Sequence, residues 1–384
     1  MRIAIDARWI FREASGIGVY TRELINALAG IDRNNKYTLL FDSGDLLKSV
    51  TESADLRHAP NFSCELLPCG LFSLSNQTLV PRILREHGID VFHSPNYMIP
   101  LLAFPRNRKG AIACVITIHD VIPLLFPHHA PRSRKSRLFP VYRQLMLEIG
   151  RRANMIIADS DASRRDIITH LRIPPERQGM VKTVYCGVSG MSSKGAAARP
   201  VRRKDEPGTI LYVGRSDPYK NCIGLIEAFA LTRTGCHFPV NLLMAGSPDA
   251  RYPEIEAKIS ALGLGDCVRR KYLSDAELSE AYRTADVLAL PSLYEGFGLP
   301  VAEAMACGLP VVCSNRGSLP EVAGDAAIQV DPTDIPALAA AMTRVLSDPA
   351  LAADLSAKGL RQANKFTWKQ TATATLAAYL EAMK

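Results

Sequence analysis

The chain has 384 residues, 47% of them hydrophobic and 22% charged, with a formal net charge of +8. That length allows two domains, each able to bury its own core, and the composition is ordinary for a soluble globular protein. No apolar run approaches the roughly 20 residues of a membrane-spanning helix, and the opening MRIAIDARWI reads as a charged strand rather than a signal peptide.

Apolar runs bounded by turn residues alternate with amphipathic stretches from end to end, the pattern of parallel sheets covered by helices. In the first half, strands are predicted at 2–7, 37–41, 63–67, 91–93, 113–118, 155–158 and 182–185. Between the first two, GIGVYTRELINALAGI sets Val19, Leu24, Leu28 and Ile31 on one helical face. Gly16-x-Gly18, with Asp42 at the end of the second strand, has part of a dinucleotide-binding fingerprint. However, Thr21 fills the third glycine position, and Gly16 comes nine residues after Ala7, too late for the tight turn that fingerprint needs. A nicotinamide dehydrogenase is therefore set aside. VITIHDVIPLLFP places His119 and Asp120 at the carboxyl end of a buried strand, facing the expected interdomain cleft. A lone histidine is more often structural, and a His–Asp pair in a cleft is the better candidate for function.

The charge is uneven. Residues 1–190 hold 25 Lys+Arg and 17 Asp+Glu, whereas 191–384 hold 21 of each. Segment 131–152, PRSRKSRLFPVYRQLMLEIGRR, carries seven basic residues and one acid. Such a stripe is either a solvated helix face or a surface for nucleic acid, anionic lipid or a phosphorylated acceptor. Nucleic acid is set aside, because no aromatic platform or recognisable module accompanies it. Leu138, Phe139, Val141, Tyr142, Leu145 and Met146 lie among the cations, which predicts loose docking on an anionic membrane surface, with Pro140 interrupting a continuous helix.

Residues 190–208, GMSSKGAAARPVRRKDEPG, lack an apolar period and read as a linker. Strands restart at 209–213, 240–245, 268–272, 287–290, 311–313 and 327–330. Ser274 to Glu277 and Thr367 to Gln370 have the spacing of a capping box. Trp368, Ala372, Leu376, Tyr379 and Met383 recur near helical spacing, so the last helix is expected to be docked. The outline is α/β, with two doubly wound Rossmann-like domains facing across a cleft, at 1–189 and 209–365. A C-terminal helix over 366–384 can pack back on the first. In such sheets ligands bind beyond the carboxyl ends of the strands.

Two motifs fall at such ends. In ILYVGRSDPYKN, Arg215 and Lys220 follow a buried strand, placed either to straddle a diphosphate or merely to solubilise a loop. In VLALPSLYEGFGLPVAEAMACG, Gly296 and Gly298 leave main-chain N–H groups open to a close ligand, and Pro300 and Gly308 suit the start and end of a helix. Glu303, about one turn inside that helix, can bind a vicinal diol such as ribose or simply complement the helix dipole. Glu295 can bind the hydroxyls of a second sugar. Ser292 stands at cap spacing before it, but no helix grows from that point. Two acids for hydroxyls around a phosphate pocket describe a nucleotide-diphospho-sugar.

VGRSDPYKN, YLSDAELSEAYRTADVLALPS, EGFGLPVAEAMACGLPVV and GSLPEVAG closely resemble the family-four retaining glycosyltransferases of the GT-B fold, over nearly the whole chain. The resemblance implies a donor-binding C-terminal domain and an acceptor-binding N-terminal one. It implies that Arg215 and Lys220 hold and stabilise the leaving diphosphate, that Glu303 takes the ribose and Glu295 the transferred sugar. The turn around Phe297, Gly298 and Leu299 supplies backbone contacts, and the base sits near Tyr272 and Leu273. Gly16 and Gly18 belong to a glycine loop closing over donor phosphate and acceptor. VITIHDVIPLLFP resembles a subgroup of bacterial mannosyl- and related transferases of surface polysaccharides, in which His119 would contact the donor sugar. YCGVSG departs from the family at Cys186 and Ser189, where Asn and Asp are usual.

No metal and no cofactor is implied. The nine single cysteines, with no Cys-x-x-Cys pair, agree with that and point to a cytoplasmic setting. The expected partners are a nucleotide-diphospho-sugar, first choice GDP-mannose by subgroup resemblance, and a glycan or polyprenyl-diphosphate-linked acceptor. With no side-chain nucleophile in evidence, a front-face substitution is the preferred mechanism. A sugar-nucleotide epimerase of the same architecture would need further acid/base residues in the cleft. A non-catalytic sugar-nucleotide-binding scaffold would not need Arg215, Lys220, Glu295 and Glu303 together.

Overall fold

The structure, a computed structural model, describes residues 1–11, 16–52, 56–127, 139–188 and 206–384. Most of the expected linker, Ser189, and residues 131–138 of the basic stripe lie outside these residues.

Seven parallel strands form one sheet: β1 (Arg2–Asp6), β2 (Lys36–Phe41), β3 (Phe62–Leu66), β4 (Val91–Ser94), β5 (Ala113–Ile118), β6 (Met155–Ala158) and β7 (Val181–Thr183), in the order β3-β2-β1-β4-β5-β6-β7. Six form another: β8 (Gly208–Val213), β9 (Val240–Ala245), β10 (Val268–Lys271), β11 (Val287–Leu290), β12 (Val311–Ser314) and β13 (Ala327–Val330), in the order β10-β9-β8-β11-β12-β13. Every predicted strand is present, with ends shifted by no more than about two residues, the usual uncertainty of element boundaries. The inner strands ACVITI, MIIA and VLAL are buried at every position, as parallel strands covered on both faces must be. The edge strands FSCEL and VRRK instead alternate or carry charge.

The chain divides into two compact units: Met1–Val121 with Leu138–Gly187 and Thr367–Lys384, and Ile122–Arg137 with Val188–Phe366. The first includes the helix Trp368–Ala382, which packs on β5, β6 and the helix Gly16–Ile31. Its start is a capping box between Thr367 and Gln370. Tyr379 Oη lies 2.7 Å from His93 Nδ1, and His93 Nε2 lies 2.9 Å from Thr117 Oγ1, which meets Tyr20 Oη at 3.2 Å. Burial pushes the His93 imidazole down to about 3, helped by the nearby His119, so it is neutral. The short helix Ile122–Leu125 clusters with the second unit, which a boundary at 189 does not anticipate; Phe126 stands 6.0 Å from the Tyr294 ring.

Pro140 lies in the described helix Phe139–Arg152. Whether it interrupts a helix running back through 131–138 falls outside the described residues. Arg151 and Arg152, the last cations of the stripe, bind the buried Glu148 carboxylate together with Arg106.

Candidate active site

In the second unit the chain winds outward from β8 to β10, then crosses to β11 and winds the other way. The connections leaving the adjacent strands β8 and β11 therefore diverge, which opens a crevice at their carboxyl ends. Those ends run into 214–221 and 291–298, the two segments with the sequence-predicted charges. Leu293 N donates to Tyr219 O at 2.7 Å and ties the two loops together.

Lys220 Nζ donates to both oxygens of Glu295, at 2.7 and 2.8 Å. Their side chains are only 12% and 9% exposed. Ser292 Oγ donates to Glu295 Oε1 at 2.6 Å, so the Ser-x-x-Glu spacing serves the carboxylate directly instead of capping a helix. Arg215 stands apart from this pair. Its side chain is 65% exposed, and its Nε lies 2.9 Å from the buried Asp217 Oδ2. Tyr252 Oη donates to the other Asp217 oxygen at 2.8 Å.

Glu303 lies on the helix Leu299–Ala306, whose start follows Gly298 in the left-handed region at φ 94°. A Cβ at Gly298 would sit 2.5 Å from Leu319 Cδ2, so glycine is required there on two counts. No side chain caps this helix start, the arrangement that offers main-chain N–H groups to a ligand anion. Ser318 Oγ holds the turn by approaching the carbonyls of Glu295 and Phe297 at 3.0 and 2.8 Å. Phe297 is buried against Phe366. Glu303 Oε2 accepts from Tyr282 Oη at 2.7 Å. Burial raises the Glu303 carboxyl above the usual range, and the Tyr282 hydrogen bond only partly opposes it. Tyr272 is exposed and Leu273 buried, immediately after β10.

In the first unit His119 follows β5, but its carboxylate is not Asp120. His119 Nδ1 lies 2.6 Å from Asp159 Oδ2, and Nε2 lies 2.9 Å from Pro95 O. The reason is register. Ile118 pairs with Ala158 in the parallel β5–β6 ladder, so the next residues emerge side by side, whereas successive residues along a chain diverge. A carbonyl can only accept, so Nε2 carries a proton, and Nδ1 faces a carboxylate; the partners assign an imidazolium. Burial would lower the His119 pKa, but the Asp159 charge and hydrogen bond outweigh it and the pKa is raised. Both ring nitrogens are thus engaged inside the unit, with Asp159 and the Pro95 carbonyl. Gly16 and Gly18 lie in the described helix Gly16–Ile31; 12–15, just before it, lie outside the described residues. Among the described residues no three His, Cys, Asp or Glu side chains gather as metal ligands.

Ser292, Tyr282, Asp217, Tyr252 and Asp159 were not foreseen as partners. Only Ser292 left a signal, its three-residue spacing from Glu295.

Two Rossmann-like units, the second with paired cations and carboxylates across its switch point, define a GT-B-type α/β protein. The family described as Glycosyl transferases group 1 matches residues 194–362, and Glycosyltransferase Family 4 matches 14–189. An O-antigen chain mannosyltransferase B from Escherichia coli is 30% identical, over 99% of both chains. Among solved structures, sucrose-phosphate synthase from Thermosynechococcus elongatus superposes with a TM-score of 0.73 at 24% identity, over 99% of this chain and 98% of that one. Anabaena HepE in complex with UDP and glucose gives 0.70 at 19% identity, over 98% and 99%. The chain belongs to the group 1, family-four glycosyltransferases.

Proposed function

We propose that the chain is a retaining, metal-independent mannosyltransferase that moves mannose from GDP-mannose to a glycan or polyprenyl-diphosphate-linked acceptor in surface-polysaccharide synthesis, at the cytoplasmic face of the membrane. The observation that carries the reading is the Lys220–Glu295 pair across the switch point, flanked by Arg215 and Glu303. The O-antigen mannosyltransferase relative supports the sugar and the setting, and the HepE complex with UDP and glucose supports a nucleotide-sugar donor.

In this reading Arg215, Lys220 and the start of the helix Leu299–Ala306 neutralise the departing diphosphate, and stabilising that charge lowers such a barrier more than any other single effect. An ammonium has three N–H donors, and Glu295 takes two; the third reaches phosphate while Glu295 accepts from the sugar hydroxyls. Glu303 holds the ribose, and the base lies against Tyr272 and Leu273. The bond from the anomeric carbon to diphosphate breaks as the acceptor oxygen bonds on the same face, and the acceptor proton passes to the leaving phosphate oxygen. His119, with both nitrogens donating inward, contributes a fixed positive charge, with Asp120 beside it.

A metal-free thermal-shift panel of GDP, UDP, ADP and their sugars tests this on wild type and Glu303→Ala. GDP and GDP-mannose should raise the melting temperature, and less so in the variant. No shift from any nucleotide would remove the donor site, and a shift from UDP alone would replace the base.

A further inference from the structure

Arg215 is more than half exposed, yet its carboxylate partner is among the most buried in the unit. Asp217 is 1% exposed, as is Tyr252, whose hydroxyl holds Asp217 Oδ1 at 2.8 Å. Asp217 Oδ2 has Arg215 Nε at 2.9 Å and accepts no hydrogen bond among the described residues. A buried carboxylate is stable only when its charge is matched. Arg251, bound to Asp249 through Nε at 2.9 and 3.0 Å, also feels the Asp217 charge, but Arg215 is the cation in direct contact with Asp217 Oδ2. The Asp217 carbonyl also accepts the Lys220 main-chain N–H at 2.8 Å, so one residue organises both cations.

We infer that Asp217, fixed by Tyr252, is a positioning residue that holds Arg215 ready for the donor diphosphate. The inference rests on the reading of Arg215 as a diphosphate ligand. The grip is on Nε, which leaves the edge formed by Nη1 and Nη2 for a two-pronged phosphate contact. A long, exposed arginine otherwise loses its rotamer freedom on binding; one held beforehand loses less, and binding is tighter for it. Tyr252 reaches Asp217 because the loops after β8 and β9 run unusually close. A Cβ on Gly246 would sit 2.1 Å from Gly214 O, so only glycine permits that approach. The pattern R-x-D near a strand end carries no hint of this, because Tyr252 is 35 positions away.

The test is a double-mutant cycle read by calorimetric titration with GDP and with UDP, beside melting temperatures and kcat and KM. Asp217→Asn, which removes the charge facing Arg215, should weaken nucleotide binding about tenfold, the scale of one close ion pair at a half-exposed site. Tyr252→Phe, a milder change that keeps the fold, should weaken it about threefold. In an Arg215→Ala background neither should weaken it further, since nothing is left to position. Equal losses in both backgrounds, or unchanged binding in both single variants, would overturn the tether and leave Asp217 with a structural role. If Arg215→Ala itself bound both nucleotides as wild type does, the diphosphate role would fall, and the tether with it.

Discussion

Lys220 and Glu295 are bonded to each other, both nearly buried, and among the described residues Ser292 is a further donor to the carboxylate. Removing one member of a buried pair leaves the other charge uncompensated, at about 3–5 kcal/mol, whereas removing both charges is far milder. Lys220→Ala should therefore destabilise the second unit by about 3 kcal/mol, while Lys220→Met with Glu295→Gln should stay close to wild type in stability and have no transferase activity. Urea denaturation beside an activity assay separates the two effects. A Lys220→Ala chain as stable as wild type would show that water, not Lys220, satisfies Glu295. The chemistry of these residues was legible, because a lysine and a glutamate at strand ends declare themselves. Their pairing was not: Lys220 and Glu295 are 75 positions apart, and Tyr282 and Glu303 are 21 apart. Only packing brings such groups together.

Parallel strands make a different kind of neighbour. The thirteen strands among the described residues could all be located from apolar runs and turn residues, since a run such as VITI or MIIA has few other places to go in a globular fold. Which residues then stand side by side depends on strand order and register, and those follow from crossover connections rather than local pattern. Hence the sequence pointed to Asp120 beside His119, and the β5–β6 register supplied Asp159. The consequence is a pH dependence with a definite sign. A histidine whose folded pKa is raised contributes stability in full below its unfolded value, about 6.5, and loses it as pH rises through the folded value. The melting temperature of the wild type should therefore fall from neutral into mildly alkaline pH. Asp159→Asn, which lacks the larger of the two carboxylate charges that raise His119 and leaves only that of Asp120, should show a flatter profile over that range. The same slope in both proteins would mean that another group titrates there.

Over the whole chain, the excess of +8 belongs to residues 1–190, and the density of cations peaks in 131–152. The structure divides that stripe. Arg151 and Arg152 are bound to the buried Glu148 and support the fold of the first unit, while Arg143 and Val141 are exposed on the same helix. Leu102 is exposed in a short turn that packs against this helix. Among the described residues no helix is long and apolar enough to cross a membrane. Docking of the stripe on anionic lipid would contribute about 1 kcal/mol for each basic residue near the surface. The remaining cations of the stripe, Arg132, Arg134, Lys135, Arg137 and Arg143, are the candidates for it. Flotation with vesicles containing phosphatidylglycerol should show binding that is lost at high salt, because screening shortens the reach of surface charge to a few ångströms near 1 M. Replacing Arg132, Arg134, Lys135 and Arg137 by Gln should abolish flotation and leave the melting temperature unchanged. Arg151→Gln should do the reverse, lowering the melting temperature and sparing flotation. No flotation of the wild type at low salt would remove the membrane from the proposed function and leave the basic stripe to the acceptor's own phosphates.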